Sequence, residues 1–465
     1  MTSAVSGLSD LSQNSEAAGF SINAEESHAL CLSAKEIMAD EPALAESTLV
    51  EALLLRPSNM LAYQLLSQIY QAAGRLDDAA LCRKGLLPAG CLSGYGDADS
   101  ECVVDSASAD SVQKLTLFPA DSINLPRPVN INQSGQSALP SYFDAACIES
   151  KPCFIDCIVD GVLWHDSFHS RVFNARGEEL KEHTKADSQL IDLLMSKHEP
   201  LNLAGRVFFV GARGAHNFYH WMADIAPKPG VLRRAGFRFQ GDDRFVVPFA
   251  KQGFVAQILS QFGVKQSQLY ETENNSTYLR AEELIVPYVD NKMGLTMGRW
   301  VPQVMRENFL PNDRIAGNRR LFIIRDSLTS DGRQIKNQRQ LQQLLQQYGF
   351  ECVALEKLPL VQQAILFAEA EIVLAAHGAA LVNLMFCSKG TKVVELYAGH
   401  LAPCYRAISA LCDLEYNLVY CGNKDSATET QQQQTQAARR SGNLTVPLAE
   451  LEVLLKKLLL NSSSS

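Results

Sequence analysis

Residues 319–338, RRLFIIRDSLTSDGRQIKNQ, and residues 371–397, EIVLAAHGAALVNLMFCSKGTKVVELY, decide the predicted fold of this chain. Four short apolar runs lie in and between them, at 321–324, 352–355, 372–375 and 393–396. Such runs, separated by segments with helical spacing, are typical of buried parallel strands. Strict alternation of strand and helix predicts a doubly wound α/β sheet, which binds its ligands beyond the carboxyl ends of the strands.

Polar or small residues follow or close three of these runs: Arg325, the tetrapeptide His377-Gly378-Ala379-Ala380, and Glu395. Gly378 allows a sharp turn, and Ala379 and Ala380 keep side chains away from the start of the next helix. A helix that begins in this way favours phosphate. We therefore expect an anion site at this edge of the sheet.

Length and composition limit the classes of protein to consider. A chain of 465 residues is too long for one ordinary core, so two or three domains are expected. A hydrophobic fraction of 46% and a charged fraction of 20% indicate a soluble globular protein. The net charge of −9 argues against a general nucleic-acid or anionic-membrane binder, because phosphate polymers require excess cations.

The twelve cysteines are scattered singly, several in apolar segments such as those of Cys352 and Cys387. They indicate reduced core residues in a cytoplasmic protein. Such a protein could also be peripheral to a membrane-bound assembly. The first residues lack the basic start and apolar centre of a secretory signal. No run of ~18 apolar residues predicts a transmembrane helix.

The N-terminal part divides into a mobile leader at 1–25, a helical region at 26–89 and a linker at 90–114. The helical region resembles a tetratricopeptide repeat, with packing residues at Ala62, Leu66, Tyr70, Gly74, Ala79 and Pro88. It is either a helical cap on the next domain, which is the favoured interpretation, or a docking site for a protein partner. The linker contains Asp97-Ala98-Asp99, a triplet that binds metal in some sugar transferases but is attributed to chance here.

Two further domains are predicted, at 115–311 and 312–465. The first has strand-like runs at 153–159, 207–210, 245–248 and 284–286, with a helix at 254–262. The second contains the four runs above, a further strand at 414–420, a low-complexity loop at 423–442 and a closing amphipathic helix at 446–460.

A second group of candidate residues lies in GARGAHNFYHWMADIAPK, residues 211–228, which follows a strand and opens a helix. Its apolar stripe consists of Phe218, Trp221, Met222 and Ile225. Asn217, His220 and Asp224 fall on another side, after a Gly-rich turn with Arg213. A polar stripe is usually the solvated face of a helix. Here His220 and Asp224, one turn apart, also supply a proton acceptor and a group to orient it, which favours a general base.

Four motifs follow one another along the chain: NFYHWMADIAPK, Arg325 with Arg333 to Asn337, HGAALVNLMF and VVEL. In this order they resemble glycosyltransferase family 61, also known as a capsular polysaccharide biosynthesis domain. The resemblance covers roughly residues 203–397. It implies an inverting transferase with a GT-B-like pair of Rossmann-type domains. Such an enzyme moves a sugar from a nucleotide donor, expected to be UDP-linked, to a hydroxyl of a glycan or protein. The chain departs from the family pattern at Lys228, Gln338 and Ala380.

The resemblance also implies roles for individual residues. The domain at 312–465 would hold the donor, through Arg325, Arg333, Asn337, the 377–380 turn, Asn383 and Glu395. Glu395 would accept hydrogen bonds from ribose, Asn383 would contact the donor or hold the loop, and His377 would be a donor ligand or a buried structural histidine. Arg213, Asn217 and Lys228 would lie on the acceptor or donor side.

The domain at 115–311 would supply the base, for which Asp224 is slightly preferred over His220. Cationic side chains and backbone N–H groups would stabilise the leaving diphosphate, so neither a metal nor a cofactor is expected. Two other functions compete with sugar transfer. One is a non-catalytic scaffold that binds a partner through its helical region. The other is an NAD-dependent enzyme, which the lack of a G-x-G-x-x-G motif after any predicted strand argues against.

Overall fold

The computed structural model describes thirteen stretches of the chain: 24–88, 90–93, 112–131, 139–166, 169–184, 189–248, 250, 253–270, 277–311, 317–325, 334–398, 401–422 and 443–460. The helices are α1 (Ala24–Ile37), α2 (Pro42–Leu55), α3 (Met60–Ala72), α4 (Leu76–Arg83), α5 (Gln189–Lys197), α6 (Phe218–His220), α7 (Pro227–Arg234), α8 (Gly253–Gln261), α9 (Trp300–Phe309), α10 (Gln338–Gln347), α11 (Leu360–Ala368), α12 (Cys404–Leu411) and α13 (Leu448–Leu460). No helix within these stretches is both long and apolar enough to cross a membrane.

The strands are β1 (Val112–Phe118), β2 (Ser122–Asn124), β3 (Val129–Ile131), β4 (Cys147–Glu149), β5 (Cys153–His165), β6 (Ser170–Phe173), β7 (Leu201–Phe209), β8 (Arg244–Val246), β9 (Leu269–Tyr270), β10 (Thr277–Tyr288), β11 (Arg319–Ile324), β12 (Phe350–Ala354), β13 (Ala370–Ala376), β14 (Lys392–Tyr397) and β15 (Glu415–Tyr420). They form two large sheets and the small pair β2–β4. The earlier sheet is built around β5 and β10, and the later sheet around β13 and β14.

The N-terminal helices α1–α4 pack as two successive pairs. Their helical character confirms the expectation for this region, while its identity as a tetratricopeptide repeat stays a prediction. Asn59 begins α3 by accepting hydrogen bonds from the backbone N–H groups of Leu61 and Ala62. The apolar core of these helices includes Leu190 and Leu194 of α5. The helical unit therefore packs on the α/β part of the molecule.

The earlier sheet is mixed, with the order β1-β5-β10-β7-β8-β9 and β6 beside β5. β10, β7, β8 and β9 are parallel, whereas β5 is antiparallel to each of its neighbours. A few residues connect β5 to β6, and a connection that short joins only antiparallel strands. The four predicted strands are confirmed, but this lobe differs from the expected Rossmann-type sheet.

The later sheet is parallel throughout, with the order β12-β11-β13-β14-β15-β3. This confirms the parallel sheet predicted from residues 319–397. Its edge strand β3 comes from residues 129–131, so a single division at 311 does not describe the packing. Cys352 lies exposed on the other edge strand, β12, and is not the core residue predicted. The described cysteines include no disulfide.

One apolar core extends between the two sheets. Trp221, Met222 and Ile225 are buried in it, which confirms the predicted apolar stripe. α6 packs against the 3-10 segment Ala379–Phe386, which follows β13. On the other side of the later sheet, α13 packs against α10. The two lobes thus share a core, and only the α/β class of the expected fold is established.

Candidate active site

The helix that carries His220 and Asp224 begins directly after a loop from β7. The Asn217 side chain accepts a hydrogen bond from the N–H of Tyr219 at 2.8 Å and caps the first turn. α6 then continues through a π-helical turn, Trp221–Ile225, into α7. π turns are rare and occur often at functional sites. This one begins directly after His220 and contains Asp224.

His220 and Asp224 form a hydrogen-bonded pair. His220 Nδ1 lies 2.7 Å from Asp224 Oδ2, and the other carboxylate oxygen accepts a hydrogen bond from the amide of Asn291. The His220 side chain is 37% exposed, whereas that of Asp224 is 13% exposed. The carboxylate is therefore the inner member of the pair, and the imidazole is the outer one.

The loop before the helix lies directly against the His220 ring. Gly214 adopts φ +79°, and a Cβ built on it would lie 2.6 Å from His220 Cδ2. A side chain at this position would be strained by its backbone angle and would also displace the imidazole. The glycine therefore allows the backbone to form one wall of the imidazole site.

The other sequence-predicted residues of this lobe have partners within the protein. Lys228 is buried, and its ammonium donates to the backbone carbonyl of Gly211. Arg213 is exposed and donates to the carbonyl oxygen of Lys84, at the end of the helical unit, over 3.4 Å. With Asn217 acting as a helix cap, all three predicted substrate contacts have structural roles in this conformation.

In the later lobe, Arg325 and the 377–380 turn lie together, because they follow the neighbouring strands β11 and β13. Arg325 Nη2 donates to the carbonyl oxygen of His377 at 2.7 Å. A Cβ on Gly378 would lie only 2.0 Å from the same nitrogen. The guanidinium thus lies directly over the turn, and the absence of a side chain at Gly378 makes the approach possible.

Glu395 is fully buried beneath this turn. One of its oxygens pairs with His377 Nδ1, and the other accepts the Tyr416 hydroxyl at 2.5 Å. Burial, followed by the charge of Glu395, raises the pKa of Tyr416 well above its ordinary value. The ribose contact expected for Glu395 is not available in this conformation, because the side chain is fully buried and both of its oxygens have partners inside the protein. Glu395 holds the buried His377 instead.

Two asparagines predicted to contact the donor hold backbone segments. Asn383 donates to Gln363 and to the Ala380 carbonyl, so it fits the loop-holding alternative. Asn337 exchanges two hydrogen bonds with the backbone of Val446, at 2.8 and 2.9 Å. Arg333 lies outside the described residues, as does the Asp97-Ala98-Asp99 triplet.

The two groups of candidate residues are connected through aromatic rings. Tyr219 lies beside His220, with ring centroids 5.3 Å apart, and contacts Tyr405 at 6.0 Å. Tyr405 in turn lies 5.2 Å from His377. The structure therefore brings the His220–Asp224 pair and the 377–380 turn into one region, although more than 150 residues separate them in sequence.

Sequence reasoning missed Asn291, Tyr405 and Tyr416. Asn291 follows the end of β10. In the later sheet, the polar residues just beyond strand ends are the predicted candidates, and the same rule applied to β10 would have found Asn291. Nothing in the local sequence marks Tyr405 or Tyr416. Within the described stretches, no group of three or more His, Cys, Asp or Glu side chains is arranged to hold a metal ion.

A comparison with protein families identifies this region. The family model of Glycosyltransferase 61 matches residues 218–394. The chain carries a glycosyltransferase 61 domain. The match begins at the start of the His220 helix and ends one residue before Glu395, so it contains the His220–Asp224 pair, Arg325 and the 377–380 turn, and it leaves out Arg213, Asn217 and Glu395.

The glycosyltransferase domain establishes an enzyme whose substrates are a sugar donor and an acceptor. The α1–α4 unit lies outside the matched residues. In a direct comparison with curated proteins, no relative of this glycosyltransferase was found.

Proposed function

We propose that this glycosyltransferase moves a sugar from a nucleoside diphosphate to an acceptor hydroxyl in one inverting displacement. The acceptor oxygen forms a bond to the anomeric carbon, and the bond from that carbon to the diphosphate breaks. The acceptor proton passes to His220 Nε2, and the electron pair leaves with the diphosphate. The 2.7 Å contact between His220 and Asp224, in the same region as Arg325 and the 377–380 turn, carries this proposal.

The contacts of the pair favour His220 as the base. The Asp224 carboxylate accepts the proton of Nδ1, which leaves the lone pair on Nε2. No described residue makes a hydrogen bond to Nε2. Asp224 is the less exposed partner, and both of its oxygens are occupied. The proposal therefore exchanges the roles that the sequence slightly favoured.

The diphosphate leaves with negative charge that the later lobe would stabilise. Arg325 supplies a guanidinium directly over the 377–380 turn, and the backbone N–H groups at the start of the 3-10 segment add partial positive charge. Preorganised charge of this kind is usually the largest contribution to transition-state stabilisation. Because these groups belong to the protein itself, we propose that transfer needs no metal ion.

The non-catalytic scaffold is set aside because the chain carries an enzyme domain. A protein partner for the helical unit remains a separate proposal. The Arg213–Lys84 contact and the packing of the unit on α5 support its interpretation as a cap on the catalytic part.

The first test is to purify the protein and measure thermal stabilisation by a panel of nucleotide sugars, with and without EDTA. We expect one class of nucleotide sugar to raise the Tm equally in both buffers, because binding lowers the free energy of the native state alone. That donor is then incubated with acceptors to detect transfer. Stabilisation by NAD alone would refute the proposal, and loss of donor binding in EDTA would refute its metal-independent form.

The second test compares active-site variants with matched surface variants. His220→Gln and Asp224→Asn remove the base and its orienting charge, so each is expected to lower kcat by about 10²–10⁴-fold without unfolding the protein. His28→Gln and Asp77→Asn make the same chemical changes at exposed positions of α1 and α4 and should leave kcat unchanged. Retention of full activity by His220→Gln would show that another group takes the acceptor proton.

A further inference from the structure

A third side chain, Asn291, completes the hydrogen bonding of the His220–Asp224 pair. We infer that Asn291 is a positioning residue, which holds the Asp224 carboxylate toward His220 and thereby sets the protonation of the imidazole. This inference rests on the proposed function. The Asn291 amide nitrogen donates to Asp224 Oδ1 and lies 3.2 Å from the Tyr219 hydroxyl. Asn291 comes from the turn after β10, far along the chain from the helix that it contacts.

The orientation of the Asn291 amide is determined by its other end. Its carbonyl oxygen accepts a hydrogen bond from the backbone N–H of Gly294 at 2.6 Å. Because an N–H cannot donate to an NH₂ group, the amide nitrogen must face Asp224. The amide is therefore the donor and the carboxylate the acceptor, and this contact leaves Oδ2 of Asp224 for His220 Nδ1.

The turn that carries Asn291 is packed tightly against the later lobe. Gly294 has φ +85°, and a Cβ there would lie 2.8 Å from the Cβ of Ala407 and 3.0 Å from the Cα of Cys404. Both neighbours belong to α12. Contact between the Asn291 turn and the lobe that would hold the donor therefore fixes the position of Asp224, the carboxylate that orients His220.

The substitution Asn291→Asp isolates the role of the amide N–H donor. The introduced carboxylate would keep an oxygen to accept from Gly294, but it would place a second negative charge beside Asp224. That added charge would stabilise the imidazolium form of His220. The other titratable groups facing the pair are His216 in the preceding loop, which faces His220, and Tyr219 on the helix, which faces Asp224 and also Cys404 of α12. Their identities do not change in this variant.

The test uses the full chain and two readouts. NMR follows the titration of the His220 imidazole without substrate, with its signal assigned by its loss in His220→Gln. Kinetics gives the pH dependence of kcat/KM with the donor found above. For Asn291→Asp we expect both the titration midpoint and the rising limb of kcat/KM to move upward by about one pH unit.

Two further variants give the comparison its controls. Asn291→Ala removes the donor without adding a charge, so we expect a smaller upward shift of the midpoint. Its kcat should fall by on the order of 10²-fold, as misplacement of a catalytic group predicts, with an unchanged KM for the donor. Asn308→Asp makes the same chemical change on α9, near Arg233, and should behave as the wild type.

The outcomes separate this inference from the proposed function. If neither Asn291 variant moves the midpoint of His220, Asn291 serves only the turn and the inference is overturned. If the wild type transfers sugar from no nucleotide donor, the proposed function fails, but the NMR titration still reports whether Asn291 acts on His220. Should Asn291→Asp not fold, the same two measurements on Asn291→Ala decide whether the inference holds.

Discussion

At the scale of single residues, the partners of each histidine distinguish a structural role from a chemical one. His165, at the end of β5, is buried, and its Nδ1 lies 3.0 Å from the carbonyl oxygen of His169. Burial lowers the pKa of His165 to about 4, so it stays neutral near pH 7. His220 instead has a carboxylate partner and an exposed edge. This contrast supports His220 as the residue that exchanges a proton with substrate.

His165 gives the native state a pH dependence with a defined sign. Its pKa is about 4 when folded, against an ordinary value of 6.5, so between these values the unfolded state binds more protons. Its contribution to stability is complete above pH 6.5 and is lost as the pH falls towards 4, by up to about 1.4 kcal/mol per pH unit. His183, whose pKa burial also lowers, acts in the same direction.

His165→Asn keeps a donor for the His169 carbonyl but does not titrate. We expect its Tm to be lower than that of the wild type at pH 7, because the smaller side chain leaves space in the core. Between pH 7 and pH 5, however, its Tm should fall less than that of the wild type. Differential scanning calorimetry at both pH values measures the two changes, and equal falls would contradict the assignment of a buried neutral His165.

At the scale of secondary structure, the position of the candidate base depends on where its helix begins. Asn217 caps α6 from the residue just before Phe218, and the π turn follows directly after His220. The helix is anchored further on by Lys228, whose ammonium is bound to the carbonyl of Gly211 in the loop before the cap. The loop and the helix are therefore held together on both sides of His220, by the Asn217 cap and by the Lys228 contact.

Replacement of the cap separates its structural role from the substrate contact predicted by sequence. Asn217→Ala should destabilise the protein by ~1 kcal/mol, because the N–H of Tyr219 loses its acceptor. Asn217→Ser restores an acceptor at the same position and should recover most of this loss, together with kcat and KM. Chemical denaturation of both variants measures the free energy of unfolding, and steady-state kinetics measures kcat and KM. A raised KM in Asn217→Ser, at wild-type stability, would instead indicate contact with substrate.

At the scale of the whole molecule, a buried arginine holds together the segment that crosses between the two sheets. Arg406 on α12 is 2% exposed and donates to the backbone carbonyls of Leu125, Pro126, Phe143 and Ala145. These carbonyls lie before and after β3 in sequence. β3 comes from the early part of the chain but pairs with β15 in the later sheet. Burial lowers the pKa of Arg406, but a guanidinium remains charged near neutral pH.

Arg406→Met should destabilise the protein by about 3 kcal/mol or more, because buried carbonyls lose their donors. Since α12 also packs against the Asn291 turn, activity should fall faster on warming than in the wild type. Arg127→Met is the matched control, because the Arg127 side chain is 86% exposed, and it should change the Tm very little. An unchanged Tm in Arg406→Met would show that the crossing segment is held by its apolar contacts alone.

The sequence alone determined the elements and the local pairs of this glycosyltransferase. Apolar runs predicted the parallel strands around residues 319–397, because burial on both faces requires continuous apolar sequence. Parallel strand order then placed Arg325 beside His377, and helical spacing placed His220 beside Asp224. In each case the information lies within a few residues, or in a rule about where strand ends meet.

Only the tertiary structure decided the long-range partners. The tight packing of a turn against α12 brings Asn291 to Asp224, and Tyr416 occupies the Glu395 oxygen that the sequence assigned to ribose. The antiparallel half of the earlier sheet and the place of β3 in the later one were likewise missed. Periodicity reports whether a side chain is buried, but it does not report what the side chain is buried against, because that depends on packing between segments remote in the chain.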